Sequence, residues 1–317
     1  MKQLFPGIII SVLLGVIAMI VAPYTPMANS IVLALFMGIL LTNSISLSER
    51  LDTGIQFSGK TLLELAIIFL GFGISFSDIT SVGLFRVGIL AATIIAILLL
   101  TFFITKKDSR SKTRFLIGFG TAICGSSAIA ALAPKIGAAK SETGISIAVI
   151  NLMGLIGMLG IPLVFSQTMA DDIAALLIGG SLHGVANVAG AGYAMNEAIG
   201  DLSLTIKLAR VALLAPSLIF FNMLINNSAS TKENLKLPYY IIGFIGASTI
   251  VSVFELPMAL IETFRGTGKF LLSASMAAIG LNIQFNQLLK EGKSAMKFGA
   301  FIFGAQLVII GILSLLL

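Results

Sequence analysis

Apolar runs of membrane-spanning length follow one another along the chain, separated by short polar links. A hydrocarbon core of about 30 Å takes about 20 apolar residues at 1.5 Å each. Runs that meet this requirement predict helices over 5–22, 27–43, 60–77, 83–104, 114–136, 143–165, 172–195, 204–226, 237–255, 258–282 and 294–316, eleven in all. The reading is an all-α, polytopic integral membrane protein. The fifth, seventh and tenth runs carry Gly, Ser, Asn or His in their middles. Such helices are expected to face protein or a cavity, because lipid leaves exposed backbone polar groups unsatisfied. The run after Met1-Lys2-Gln3 has the look of a signal peptide, but a counterpart later in the chain argues for a retained span.

That counterpart belongs to an internal repeat. Gly59-Lys60-Thr61-Leu62-Leu63 is echoed by Gly268-Lys269-Phe270-Leu271-Leu272, an offset of 209 residues. At the same offset Gly71 meets Gly280, Ile74 meets Ile283, Phe76 meets Phe285 and Gly83 meets Gly292, eight identities over 25 positions without gaps. The offset also sets the first, second and fourth runs near the eighth, ninth and eleventh. The third and tenth runs are seven apart, an odd number, so the two copies are expected to point in opposite directions. Inverted repeats of this kind let a central site open to either side in turn. A second echo relates Cys124-Gly125-Ser126-Ser127-Ala128-Ile129-Ala130 to His183-Gly184-Val185-Ala186-Asn187-Val188-Ala189. These segments lie two runs apart, so an inverting two-fold relates them only if one is re-entrant. The chain reads as one transmembrane domain over 1–317, with repeat-like halves of roughly 1–138 and 171–317.

Composition sharpens the picture. Only 11% of residues are charged, 57% are hydrophobic, and the mean hydropathy is +1.05, so lipid is the expected solvent. A net charge of +6 would suggest nucleic acid in a soluble protein; here the basic residues sit in short links, where they set topology. Lys2, Arg50, Lys60, the cluster Lys106, Lys107, Arg110, Lys112 and Arg114, then Lys232, Lys236, Lys290, Lys293 and Lys297 fall on the N-terminal side. The positive-inside rule then predicts a cytoplasmic membrane protein with its N-terminus in the cytoplasm and its C-terminus outside. A single cysteine excludes a disulfide framework, and one His with one Cys supplies too few ligands for zinc.

Candidate chemistry concentrates in two segments. In GFGTAICGSSAIAALAP (118–134), glycines weaken the helix while Ser126 and Ser127 can serve freed backbone groups or a ligand. A break there, at Cys124 and Gly125, would present amide N–H groups and a positive dipole end suited to an anion. The alternative use of the same residues is small-residue packing between helices. In GGSLHGVANVAGAG (179–192), His183 and Asn187 are four apart and predicted to share a helical face. A histidine at mid-membrane is costly and marks function by default, with the alternative of a neutral ring bonded to a carbonyl. Lys207 and Arg210, three apart in the first turns of the eighth run, either snorkel or supply counter-charge to an anion. Glu64, Asn151 and Asn282 are weaker candidates for a coupling ion, H+ or Na+. No metalloprotease, phosphate-loop or nucleophile-elbow motif is present, and an enzyme is not expected.

At GTAICGSSAIAALAPKIGAAKSETGISIAVINLMG (120–154), LHGVANVAGAG (182–192) and LLSASMAAIGLNI (271–283), the chain resembles the YeiH-type membrane proteins, a family that carries the label of sulfate exporter. The resemblance implies kinship with bile-acid symporters and cation–proton antiporters, which are built from inverted repeats with broken, crossing helices. It also implies a substrate domain moving against a scaffold. Members commonly carry an acid directly after the histidine and a glutamine three further on; Gly184 and Asn187 stand here, so a His–acid proton relay does not carry over. The combined expectation is a secondary transporter of a small anion, sulfate or a sulfonated organic acid, without a cofactor and with room for a homodimer. A passive channel and a non-transporting scaffold or receptor are the alternatives.

Overall fold

The computed structural model of the chain describes residues 4–24, 30–45, 47–75, 82–105, 111–165, 169–226, 239–254, 256–283 and 293–316. Every regular element among them is helical. Phe76, Phe285 and Gly292 of the repeat, and Lys2, Lys106, Lys107, Arg110, Lys232, Lys236 and Lys290 of the charge count, lie outside the described residues. Five helices are long and apolar enough to cross a membrane, or six when one bent pair counts as a single span. Eleven were expected; the difference lies partly in shorter apolar helices and partly in two runs that fold back on themselves.

The chain divides into two compact units, residues 1–81 with 237–287 and residues 82–236 with 288–317. The first contains α1 (Phe5–Val21), α2 (Ser30–Ser44), α3 (Asp52–Gly71), α12 (Tyr239–Val253) and α13 (Met258–Leu281). Helix α13 packs along α1, α2 and α3, and α12 packs on α3. The α2–α13 contact is made by glycine. A Cβ on Gly38 would lie 2.3 Å from the Ala277 carbonyl oxygen, and one on Gly280 would lie 2.3 Å from that of Leu35. Lipid gives apolar helices no hydrophobic reason to associate, so backbones that approach this closely gain dispersion contacts that larger side chains would block. Asn43 then closes the helix ends, its Nδ2 donating to the carbonyls of Ile39 and Ile283 at 2.8 and 2.9 Å.

The second unit holds α4 (Gly83–Thr105), α5 (Ser111–Ala122), α6 (Ser126–Leu132), α7 (Lys140–Phe165), α8 (Asp171–Ser181), α9 (Val185–Met195), α10 (Glu197–Ala212), α11 (Leu214–Asn226) and α14 (Lys293–Ser314). Helices α10 and α11 form the bent pair, at 47°. The run predicted at 114–136 is α5 and α6, which do not continue in one direction. Their lengths at 1.5 Å per residue, laid end to end with the link, would separate their outer ends by roughly 35 Å. Instead Lys112 Nζ, in the first turn of α5, donates to the Gly137 carbonyl just past α6 at 2.8 Å. The pair is a helical hairpin. Helix α7 leaves from its base, where Ser146 Oγ donates to the Thr113 carbonyl at 3.3 Å.

The run predicted at 172–195 behaves alike. Asn196 Nδ2 donates to Asp171 Oδ2 at 3.3 Å, so the far ends of α8 and α9 are adjacent and this pair also folds back. Its base lies at the other end of the unit, where Asp172 pairs with Arg86 at the start of α4, 2.6 Å away. Both runs were expected to be spans because they have the length and hydropathy of spans. Glycine and small residues at their centres permit the reversal: Gly125, at φ 82°, holds a backbone conformation that side chains rarely adopt. The hairpin geometry predicts that Lys112→Cys and Gly137→Cys, in a Cys124→Ser background, react with an impermeant maleimide from the same side of the membrane. Reaction from opposite faces would show a crossing helix instead.

Candidate functional site

The two hairpins enter their unit from opposite ends and meet tip to tip. A Cβ on Gly125, at the tip of α5–α6, would lie 3.3 Å from the carbonyl oxygen of His183, at the tip of α8–α9. At each tip one helix ends and another begins. The last carbonyls of α5 and α8 therefore carry negative partial charge, and the first amides of α6 and α9 carry positive partial charge. In lipid these groups find no water, and something in the protein must answer them.

Helix α10 answers the carbonyls. It begins at Glu197 behind an Asn196 cap, whose side chain accepts from the Ile199 amide at 2.7 Å. Lys207 and Arg210 therefore lie well inside the helix and not in its first turns as expected, and they are 0% and 1% exposed, which rules out snorkelling. Lys207 Nζ donates to the Ile123 carbonyl at 2.9 Å and the Leu182 carbonyl at 2.6 Å. Arg210 Nε donates to the Ala122 carbonyl at 3.0 Å, Nη1 to that of Leu182 at 3.1 Å, and Nη2 to that of Thr121. One helix thus pins both tips. Neither cation meets a carboxylate among the described residues.

His183 lies in the link between α8 and α9 and not on a helix, so the face expected for it with Asn187 does not arise from helical spacing. Both nonetheless turn toward α7. A Cβ on Gly154 there would lie 2.2 Å from Asn187 Nδ2 and 3.5 Å from the His183 Cβ. The imidazole is 1% exposed, with Nε2 at 3.3 Å from Thr121 Oγ1 and its ring 4.8 Å from that of Phe303 on α14. Its Nδ1 is buried with no partner among the described residues, a cost that a satisfied structural histidine would not carry. Cys124 is buried at the first tip, whereas Ser126 and Ser127, in the first turn of α6, are exposed.

The coupling-ion candidates are not part of this cluster. Asn151 is exposed on α7. Glu64 and Asn282 belong to the other unit, where Glu64 accepts from the Tyr239 hydroxyl and Asn282 Nδ2 donates to the Ala278 carbonyl at 3.0 Å. Thr121 and Phe303 at the histidine were missed from sequence, as was Gln306, whose Nε2 donates to the Gly180 carbonyl at 3.2 Å. Only Gln306, a lone amide in an apolar run, carried a readable signal.

Arg210 bridges three carbonyls, two on one tip and one on the other; its loss strands those of Thr121 and Ala122, while Leu182 keeps the Lys207 ammonium. Arg210→Met is expected to destabilise the folded protein by about 3 kcal/mol or more, since each buried acceptor left unpaired costs about 1–3 kcal/mol. Denaturation in detergent measures this; a stability within about 0.5 kcal/mol of the parent would deny the pinning role.

Comparison with known proteins agrees with the arrangement of a membrane protein. The family model described as Conserved hypothetical protein 698 matches residues 6–299. The UPF0324 membrane protein CPE0129 of Clostridium perfringens is 29% identical over 97% of this chain and 94% of its own length. The UPF0324 membrane protein OB3406 of Oceanobacillus iheyensis is 30% identical over 92% and 89%. The UPF0324 inner membrane protein YeiH of Escherichia coli K12 is 29% identical over 87% and 82%. No solved structure matches the chain. With helices of spanning length and a match along nearly its whole extent, this multi-pass membrane protein belongs to the Conserved hypothetical protein 698 family, which includes the UPF0324 membrane proteins of the YeiH type.

Proposed function

We propose that the protein is a secondary transporter of a small anion, working by alternating access in the cytoplasmic membrane. The observation that carries this reading is the meeting of two oppositely inserted hairpin tips at two buried cations that meet no carboxylate among the described residues. Positive and negative helix ends at the tips offset one another, which leaves the formal charges of Lys207 and Arg210 to set the sign of the site. An anion is the ligand that such a field favours. Exposed Ser126 and Ser127, the first amides of α9 and the orphan Nδ1 of His183 supply donors or an acceptor near it. Asn187 adds an amide from the second hairpin, and Gly125 keeps the first tip close enough to share the ligand.

The packing also supports an inverted repeat, in a permuted order. In one unit α4, the first hairpin and α7 pack in sequence; α14, the second hairpin and α10 pack likewise. In the other unit α2 lies on α13 as α12 lies on α3. These pairings follow the 209-residue echo for α2, α3 and α4 with α12, α13 and α14, and the Cys124–His183 echo for the hairpins. At the same offset α1 falls on α11. Because each hairpin returns to its own side, Lys135 and Lys140 join Lys112 and Arg114 on the N-terminal side. That strengthens the reading of a cytoplasmic N-terminus and an external C-terminus.

Thermal unfolding of the detergent-purified protein across a panel of anions tests the proposal. Sulfate or a sulfonate at 100 times its dissociation constant stabilises the folded state by about 2.7 kcal/mol. The expected shift is lost in His183→Ala and in Ser126→Ala, both of which still melt cooperatively. In proteoliposomes the same anion is expected to saturate and to show counter-transport, which a passive pore does not. No anion-dependent shift and undiminished flux in both variants would remove the site assignment.

A further inference from the structure

Four main-chain carbonyls, those of Thr121, Ala122, Ile123 and Leu182, converge where α5 and α8 end. Carbonyls at unwound helix C-termini inside a membrane are the donor set that holds a dehydrated sodium ion. Here the set is already filled. Lys207 Nζ sits between Ile123 and Leu182, one carbonyl from each hairpin, at 2.9 and 2.6 Å, and the Arg210 guanidinium takes the rest.

We propose that Lys207 is a tethered cation occupying an alkali-metal site, so that the protein needs no sodium to hold its two hairpin tips together. The ammonium bridges the two tips as a bound metal would, with carbonyl oxygens alone as its partners, and it is 0% exposed, so no ion exchanges with it. The other candidates for holding a coupling cation, Glu64, Asn151 and Asn282, contribute no group to this cluster. A cation that is covalently part of α10 cannot dissociate, and on the transport reading given above, on which this consequence rests, this carbonyl cluster therefore supplies no sodium coupling to the cycle.

Removing the ammonium is expected to restore the metal site. Lys207→Ala frees the Ile123 carbonyl and one lone pair of Leu182, and leaves space for an ion with its remaining water. The experiment compares melting of the full-length protein in sodium chloride and choline chloride at equal ionic strength, so that screening is constant. The parent and Lys207→Arg are expected to melt alike in both salts. Lys207→Ala is expected to melt below the parent in choline and to rise saturably with sodium, reaching a folded state in sodium even if it has none in choline. Saturable stabilisation of the parent by sodium overturns the proposal. So does a Lys207→Ala protein indifferent to sodium, or one that fails to fold in both salts while Lys207→Arg folds in both. Loss of anion binding by the parent in either salt would count against the transport reading and leave the tethered cation standing.

Discussion

Helix ends inside a membrane are the constraint on which the rest depends. A helix that stops at mid-membrane exposes carbonyls that water would satisfy elsewhere, and lipid cannot. Two such ends meet in this protein, and both are answered by one stretch of α10. Lys207 and Arg210 would be prohibitively costly there alone, as would the carbonyls. Together they satisfy each other, and the three elements hold one arrangement. Glycine and small residues at the turns follow from this, as does the break in each hairpin at the depth where the cations sit.

The arrangement also separates two roles that sequence reading had merged. The basic residues were expected to attract a ligand directly. Their N–H groups are instead spent on carbonyls, and their field, rather than their contact, is what reaches the open side of the tips. On the proposed reading, contact with the anion falls to the exposed serines, the amides of α9, His183 and Asn187. A ligand held by main-chain amides and hydroxyls, in the field of buried charge, pays little for its own desolvation beyond what the fold has already arranged.

Much of this was legible in the sequence. Hydropathy gave helices and membrane, and the Cys124 and His183 segments were singled out by their glycine and polar content. Lys207 and Arg210 were found, but their surroundings were not, because the start of α10 depends on the Asn196 cap and a tight return from α9. Hairpin and crossing helix have the same length and hydropathy, so periodicity alone does not separate them. What separates them is contacts such as Lys112 with Gly137 and Asp171 with Asn196, which pair residues 25 apart in sequence. The echo between segments two runs apart was the sign that a direction had been miscounted. Thr121 and Phe303 had no signal, since a threonine and a phenylalanine are ordinary in apolar helices.

On the proposed reading, the two tips form one anion site open to each side of the membrane in turn. Ser126→Cys in a Cys124→Ser background, in membranes of known orientation, tests it most directly through labelling by an impermeant maleimide from each face, with and without sulfate or a sulfonate. Both faces are expected to reach the residue, and bound anion is expected to slow the reaction from both. Labelling from one face alone, at a rate indifferent to every anion, would contradict it.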